Sequence, residues 1–109
     1  MFKVTDDPTF THRVTIMVPV DGGHAEQTLQ TTFRAIPDEE ADGFDLNEVS
    51  GIKEFLKRII VSMDDLAGAD DKPMPYSDGL RDKLLELPYF RLGNVRAYSA
   101  AMTKAKAGN

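Results

Sequence analysis

The sequence predicts a single α+β domain in which an N-terminal antiparallel β-hairpin packs on three to four α-helices. Two stretches of alternating apolar residues flank a glycine pair, apolar residues recur at helical spacing mid-chain, and two proline-marked amphipathic segments follow. A chain of 109 residues can bury one modest hydrophobic core. We therefore expect one domain spanning residues 1–109, and the alternatives for its sheet are the first hairpin alone or the first hairpin with a second short one.

The first predicted element is a β-hairpin over residues 10–36. Apolar or β-branched residues occupy alternate positions in both strands, as in half-buried strands: Phe10, Val14, Ile16, Val18 and Val20, then Leu29, Thr31, Phe33 and Ala35. The turn segment Asp21–His24 tolerates positive φ, and Pro37 ends the second strand because it cannot donate a ladder hydrogen bond. Met17 and Pro19 lie on the opposite face, which a helix or a partner could cover.

The second predicted element is a helix over residues 45–63. Apolar residues recur there at helical spacing: Ile52, Phe55, Leu56, Ile59, Ile60 and Met63. The pattern DLNE from Asp45 to Glu48 resembles a capping box and predicts a helix start near Asp45, although Ser50 is an equally reasonable cap.

Residues 64–76 are too rich in Asp, Gly and Pro for a helix, and predict either an acidic turn or a small hairpin turning at residues 68–72. Two helices broken at Pro88 follow over residues 77–107, the first capped by Ser77. Their predicted apolar stripes are Leu80, Leu84, Leu85 and Leu87, then Leu92, Val95, Tyr98 or Ser99, and Met102. The positive charges of Lys104 and Lys106 would stabilise the negative C-terminal end of the second helix dipole, and Gly108 is predicted to end that helix.

Composition excludes several classes of function. A net charge of −5 argues against a nucleic-acid binder, which needs clustered Lys and Arg. The absence of cysteine removes disulfides, thiolate metal sites and cysteine nucleophiles. No apolar run is long enough to span a membrane, and the first residues have no apolar signal segment, so we expect a cytoplasmic protein without a membrane partner.

The acidic segment after the hairpin partly matches the ligand pattern of a calcium-binding loop. Asp38, Glu40 and Asp42 fall at alternate positions with Gly43 sixth, as in an EF-hand. Val49 stands where the loop requires a bidentate Glu, so a solvated acidic loop is the preferred interpretation.

No other residue set suggests chemistry. His12 and His24 lack the spacing of a zinc pair, and no carboxylate lies in an apolar run that would raise its pKa for acid–base catalysis. We therefore predict a non-enzymatic binding protein with no catalytic residue, no metal site and no cofactor.

Tyr76, Tyr89, Phe90 and Tyr98 crowd around the two proline-marked junctions, beside two arginines. Tyr and Arg are common in protein–protein hot spots. The alternative for Tyr76 and Phe90 is that they complete the core, and for Arg91 and Arg96 that they pair with nearby acids.

The order of parts resembles a known family. A hairpin ending in TFRAIPDEE precedes the helix IKEFLKRIIVSMDDL, and an acidic turn then leads to KPMPYS at Lys72–Ser77. The motif LPY and then RAYSAA near a terminal GN complete the pattern. This arrangement is similar to that of the small tail assembly chaperones of long-tailed bacteriophages and prophages. Many members carry Trp where this chain has Ser62-Met63, and Gly where it has Asp71.

The resemblance implies a protein that binds the tape measure protein, keeps it soluble, helps recruit tail tube subunits and is absent from the finished virion. Many relatives also occur as a longer, frameshifted form. The hypothesis for the client surface is Tyr76, Leu87, Tyr89, Phe90, Arg91 and Tyr98. A homo-oligomer is possible. The alternative functions are a structural minor tail or head–tail connector component retained in the virion and, from charge alone, an acidic inhibitor that mimics DNA.

Overall fold

A three-stranded antiparallel sheet and four helices form residues 1–103, the part of the chain that the computed structural model describes. The elements follow in the order β1 (Thr9–Val20), β2 (Gly23–Arg34), α1 (Asp38–Ala41), α2 (Val49–Ile59), β3 (Ile60–Asp64), α3 (Asp78–Leu84) and α4 (Pro88–Met102). The strand order is β1-β2-β3, so β1 and β3 are the edges of the sheet. The α+β fold is confirmed. Within residues 1–103, no helix has both the length and the apolarity required to cross a bilayer.

The N-terminal hairpin forms as predicted. Val20 pairs with Gly23, which leaves Asp21 and Gly22 as the turn, and Gly22 has a φ of +76°. Glycine adopts this left-handed conformation without a steric penalty. The inward face is buried at Val14, but the apolar row ends before Val20, which is 50% exposed at the tip.

The predicted start of the middle helix is wrong. Asp45 caps no helix, because its carboxylate accepts a hydrogen bond from the backbone N–H of Asn47 at 3.0 Å in a local turn. The helix begins four residues later, at Val49, after Glu48. Ser50 lies inside the first turn and is not the cap. A short polar side chain can bond the backbone two residues on, and here that turn replaces the helix start.

The predicted end of the same helix is also wrong, because residues 60–63 belong to β3. Thr32 pairs with Ser62 while Phe33 pairs with Ile60, so Val61 is an extra residue in the ladder, a β-bulge. The bulge places Ile60 and Met63 on one face although they are three residues apart, and both are buried. In the sequence this spacing cannot be distinguished from one helical turn.

The acidic segment after β3 forms the small hairpin rather than an open turn. Gly68 N–H donates to the Lys72 carbonyl at 2.9 Å, and Met74 N–H donates to the Leu66 carbonyl at 2.8 Å. Asp71 adopts a φ of +62° in this turn. Asp tolerates the left-handed conformation better than most residues other than Gly and Asn.

The predicted starts of the last two helices are confirmed. The Ser77 hydroxyl accepts from Leu80 N–H at 3.0 Å, and Pro88 occupies the first turn of α4. The predicted stripe of α4 is only partly confirmed. Tyr98 is buried and Val95 packs against the core, but Leu92 and Met102 are 49% and 44% exposed. The buried positions are Phe90, Gly93, Asn94 and Tyr98. The predicted helix end at residue 107, with Lys104, Lys106 and Gly108, lies outside the described residues.

The buried face of α4 is determined by its close approach to β1. A Cβ atom built on Gly93 would lie 2.5 Å from Ile16 Cδ1 and 2.7 Å from the Thr15 carbonyl oxygen. The neighbouring Asn94 is fully buried, accepts from the Thr31 hydroxyl at 3.1 Å, and donates to the Phe90 carbonyl at 3.1 Å. Only a glycine on this face lets the helix backbone come so near to the edge strand.

The core lies between the inward face of the sheet and helices α2 and α4. Its buried apolar residues are Val14, Ile16, Leu29, Phe33, Ile36, Phe55, Leu56, Ile59, Ile60, Met63, Leu85, Phe90 and Tyr98. Most of the apolar residues predicted for the strands and the middle helix are among them, but Phe10, Val18 and Ile52 are only partly buried. Leu85 extends the core to the end of α3.

Replacing Gly93 by Ala tests the close approach. An added methyl group would press on the β1 backbone, so we expect Gly93→Ala to lower the free energy of unfolding by about 1–3 kcal/mol, despite the higher helix propensity of Ala. Gly79→Ala is the matched control, because a Cβ there has its nearest neighbour, the Ser77 hydroxyl, at 4.0 Å. The control should leave stability unchanged or raise it by up to about 1 kcal/mol. Equal effects in urea unfolding would contradict the packing account.

Candidate protein-binding grooves

A groove opens where the end of α3 and the start of α4 meet the inward face of the sheet. We call it the Leu87 groove. Its volume is about 220 Å³. It is lined by Ile16, Val18, Gln27, Thr28, Leu29, Asp65, Leu66, Ala67, Leu84, Leu87, Tyr89 and Phe90. The surface is mostly aliphatic and aromatic, which suits an apolar side chain of a partner.

Secondary structure places each wall of the Leu87 groove. β1 and β2 supply the buried floor residues Ile16 and Leu29. Leu84 ends α3, and Leu87 precedes α4 with its N–H donating to the Leu84 carbonyl at 3.0 Å. This tight junction leaves both leucines only half-buried. Leu66, at the base of the acidic hairpin, forms the opposite wall.

A second groove lies on the other side of the α4–β1 contact. We call it the Met17 groove, lined by Thr15, Met17, Pro19, His24, Tyr89, Leu92, Gly93 and Arg96, with a volume of about 370 Å³. Met17 is 41% exposed, so α4 covers only part of the outer sheet face that the sequence predicted to be covered by a helix or partner. Tyr89 lines both grooves.

The structure brings together only part of the predicted client surface. Leu87, Tyr89 and Phe90 meet in the Leu87 groove, whereas Tyr76, Arg91 and Tyr98 do not line it. Leu87 and Tyr89 are half-buried and reachable by a partner. Phe90 is only 5% exposed, so it contributes the groove floor and belongs to the core, as its alternative interpretation held.

Tyr98 is a core residue, so the prediction that it belongs to the client surface is wrong. It is 7% exposed, and its ring packs against those of Phe10, Phe33 and Phe55 at centroid distances of 5.4–5.9 Å. Its hydroxyl accepts a hydrogen bond from the Ile36 N–H at 3.1 Å. Burial raises the pKa of the Tyr98 phenol, and the bond from Ile36 opposes that shift.

Arg91 and Tyr76 also support the fold. Arg91 Nη1 donates to the Leu85 carbonyl at 2.8 Å, which ties α4 to the end of α3 and differs from the predicted pairing with an acid. The Tyr76 hydroxyl donates to Asp78 Oδ1 at 3.1 Å, and its half-buried ring packs against the core. Burial and that bond raise the pKa of Tyr76. Neither side chain faces the Leu87 groove.

The acidic segment that partly matches a calcium-binding loop is helical at Asp38–Ala41. The carboxylate of Glu40, one of the candidate ligands, forms a two-point ion pair with the Arg58 guanidinium. The hydrogen bonds that the Arg58 guanidinium donates to the Glu40 carboxylate raise the pKa of Arg58. Across residues 1–103, no three His, Asp or Glu side chains are grouped so as to hold a metal ion.

Sequence reasoning missed two features that shape the grooves. Gly93 interrupts an otherwise ordinary helix sequence, and an isolated glycine there often marks close packing. The glycine could therefore have indicated this close contact from the sequence alone. Asp65 lines the Leu87 groove, because it turns the chain from β3 into the hairpin with a φ of +62°. Its position depends on the length of β3, which the sequence pattern did not predict.

Comparisons with known proteins found no matching family model, no matching curated protein and no matching solved structure.

Tyr98→Phe tests the structural role of the buried hydroxyl. The variant leaves the Ile36 N–H without its acceptor, so we expect the free energy of unfolding at pH 7 to fall by about 1–3 kcal/mol. The pKa of Tyr98 is raised above its ordinary value of 10.0. The folded protein therefore keeps this proton in a pH range where the unfolded chain has lost it, and stability falls as pH rises above about 10.

Phe cannot ionise, so the stability of Tyr98→Phe should fall less steeply above pH 10 than that of the unsubstituted protein. Urea unfolding at pH 7 and at several values above pH 10 measures both effects. Tyr89→Phe is the control, because it removes a phenol from the groove wall instead of the core. Identical pH slopes for Tyr98→Phe and the unsubstituted protein would contradict this account.

Proposed function

We propose that this chain is a tail assembly chaperone of a long-tailed bacteriophage or prophage. In this role it binds the tape measure protein in the bacterial cytoplasm, keeps it soluble and helps recruit tail tube subunits. The observation that carries the proposal is the Leu87 groove, an apolar surface that the folded chain leaves open beside an acidic hairpin. Binding, without chemistry on the client, is the activity that such a surface supports.

An amphipathic client helix binds by inserting apolar side chains into a groove of this kind. Leu84, Leu87 and Tyr89 are half-buried, so part of their apolar surface faces solvent in the free protein. Covering that surface with a client helix would remove it from water, which favours the complex. The same contact would cover the apolar face of the client and limit its aggregation.

The segments that carry the family resemblance also build the groove and its surroundings. The motif LPY provides Leu87, the first residue of α4 and Tyr89, while KPMPYS closes the acidic hairpin and caps α3. Asp71 adopts a φ of +62° at the position where many family members carry glycine. Glycine takes this conformation most readily, so the backbone at Asp71 is compatible with the glycine of the family pattern.

The proposal is tested by co-expressing the tagged chain with the tape measure protein of the same tail gene cluster. We expect the two proteins to copurify from soluble lysate, and mature particles to lack the tag. Leu87→Ser should reduce copurification at least several-fold. Serine removes the apolar groove wall but is a favourable helix N-cap at this position, so the variant should fold.

Leu46→Ser is the matched control, since Leu46 is 47% exposed and lies outside the Leu87 groove. It should copurify as the unsubstituted chain does. Failure of the unsubstituted protein to bind the tape measure protein would refute the chaperone function. Recovery of the tag in stoichiometric amounts from purified particles would instead favour a structural tail component.

A further inference from the structure

We propose, on the premise of the proposed function, that the Leu87 groove selects a basic amphipathic segment of the client. One large apolar side chain of that segment enters the groove, and Lys or Arg residues near it pair with Asp64 and Asp65. The proposal depends on the size of the groove, on the distribution of charge around it, and on the contrast with the Met17 groove.

The groove is large enough for one anchor side chain. An apolar cavity of about 150 Å³ admits benzene. The Leu87 groove measures about 220 Å³, which fits a Leu, Met or Phe side chain together with part of its backbone. Small-molecule pockets are usually larger, at about 300–1,000 Å³. A single apolar anchor from a longer client segment is therefore the occupant that the volume favours.

The charge at the groove is negative and lies on one side. Within residues 1–103, Asp65 is the only charged residue that lines the groove, and Asp64 precedes it at the end of β3. Asp70 and Asp71 extend the same hairpin, whose one cation is Lys72. A Lys or Arg side chain of a client would meet the carboxylates at this edge of the groove and would not have to displace a cationic lining residue. An acidic client segment would be repelled by the same carboxylates.

On the helical side of the groove, the acid at the α3–α4 junction is already paired. Glu86, at the α3–α4 junction, is paired with Lys53 at 2.7 Å, and this pairing lowers the pKa of Glu86. A client helix lying across the groove therefore meets apolar surface on the helical side and carboxylates on the hairpin side. Its Lys or Arg residues should lie three or four positions from the apolar anchor, because such positions are neighbours on a helix surface.

The Met17 groove has the opposite charge character. Arg96 and His24 line it, and none of its lining residues in the described part of the chain carries a carboxylate. A basic client segment would be repelled by Arg96 there and attracted by Asp65 in the Leu87 groove. The two grooves share Tyr89 but differ in the charge of the segment that each can accept, so charge can direct the client to one side of α4.

The inference is tested on the full chain with two synthetic amphipathic helical peptides. Both have the same leucine face, but one carries Lys and the other carries Glu at its polar positions. Fluorescence anisotropy should show the Lys peptide binding at least tenfold more tightly than the Glu peptide. Asp64→Asn/Asp65→Asn should weaken Lys-peptide binding roughly fivefold, a loss expected for two exposed ion pairs. Asn tolerates the positive φ of Asp65, so the backbone is preserved.

Glu39→Gln/Asp42→Asn is the matched control, because it removes the same net charge from exposed positions away from the groove. It should leave the affinity within about twofold of the unsubstituted chain. Equal losses in the two double variants would show that only net charge matters and would overturn the inference. Undiminished Lys-peptide binding by Leu87→Ser, with its fold verified by circular dichroism, would overturn it as well.

The charge specificity of the groove and the chaperone function can be refuted independently of each other. Charge-selective peptide binding without copurification of the tape measure protein would keep the groove specificity and refute the chaperone function. Copurification that is unaffected by Asp64→Asn/Asp65→Asn, together with equal affinities for the two peptides, would keep the function and refute the specificity.

Discussion

The contact between α4 and β1 at Gly93 determines the position of the last helix and, through it, of both grooves. No side chain fits between the helix backbone and the strand there, because a Cβ would lie 2.7 Å from the Thr15 carbonyl. One residue on, the buried Asn94 amide accepts from the Thr31 hydroxyl and donates to a carbonyl of its own helix. A fully satisfied buried polar pair fixes one arrangement, since any shift would leave it without partners. The position of α4 on β1 in turn determines where the helix starts and where Leu87 and Tyr89 lie.

Several residues that look like binding residues in the sequence are instead used to hold the fold. Tyr98 accepts a backbone hydrogen bond deep in an aromatic cluster, and Arg91 secures the carbonyl of Leu85. Aromatic and arginine side chains favour interfaces for the same reason that they suit cores, because they combine a large apolar area with directed polar atoms. What remains for a partner is the half-buried apolar surface at the α3–α4 junction, next to a hairpin of exposed carboxylates.

Local patterns predicted the hairpin, the Ser77 cap and the Pro88 helix start, because each depends on residues close in sequence. The extent of the middle helix was not predictable in this way. Ile60 and Met63 are spaced as on a helix, but they face one side of a strand because Val61 bulges from the ladder. Pairing with β2 decides that outcome, and pairing is a long-range interaction. The buried face of α4 was not predictable for the same reason: burial of Tyr98 and exposure of Leu92 both depend on how α4 rotates onto β1.

Site-specific photo-crosslinking would test the central claim most directly, namely that the Leu87 groove is where the client binds. A photoreactive phenylalanine analogue replaces Ala67, an exposed residue lining the groove, and in a second protein replaces Ala100, an exposed residue of α4 outside it. The account predicts an adduct with the co-expressed tape measure protein from position 67 and little or none from position 100. Adducts from position 100 alone, or equal yields from both positions, would contradict it.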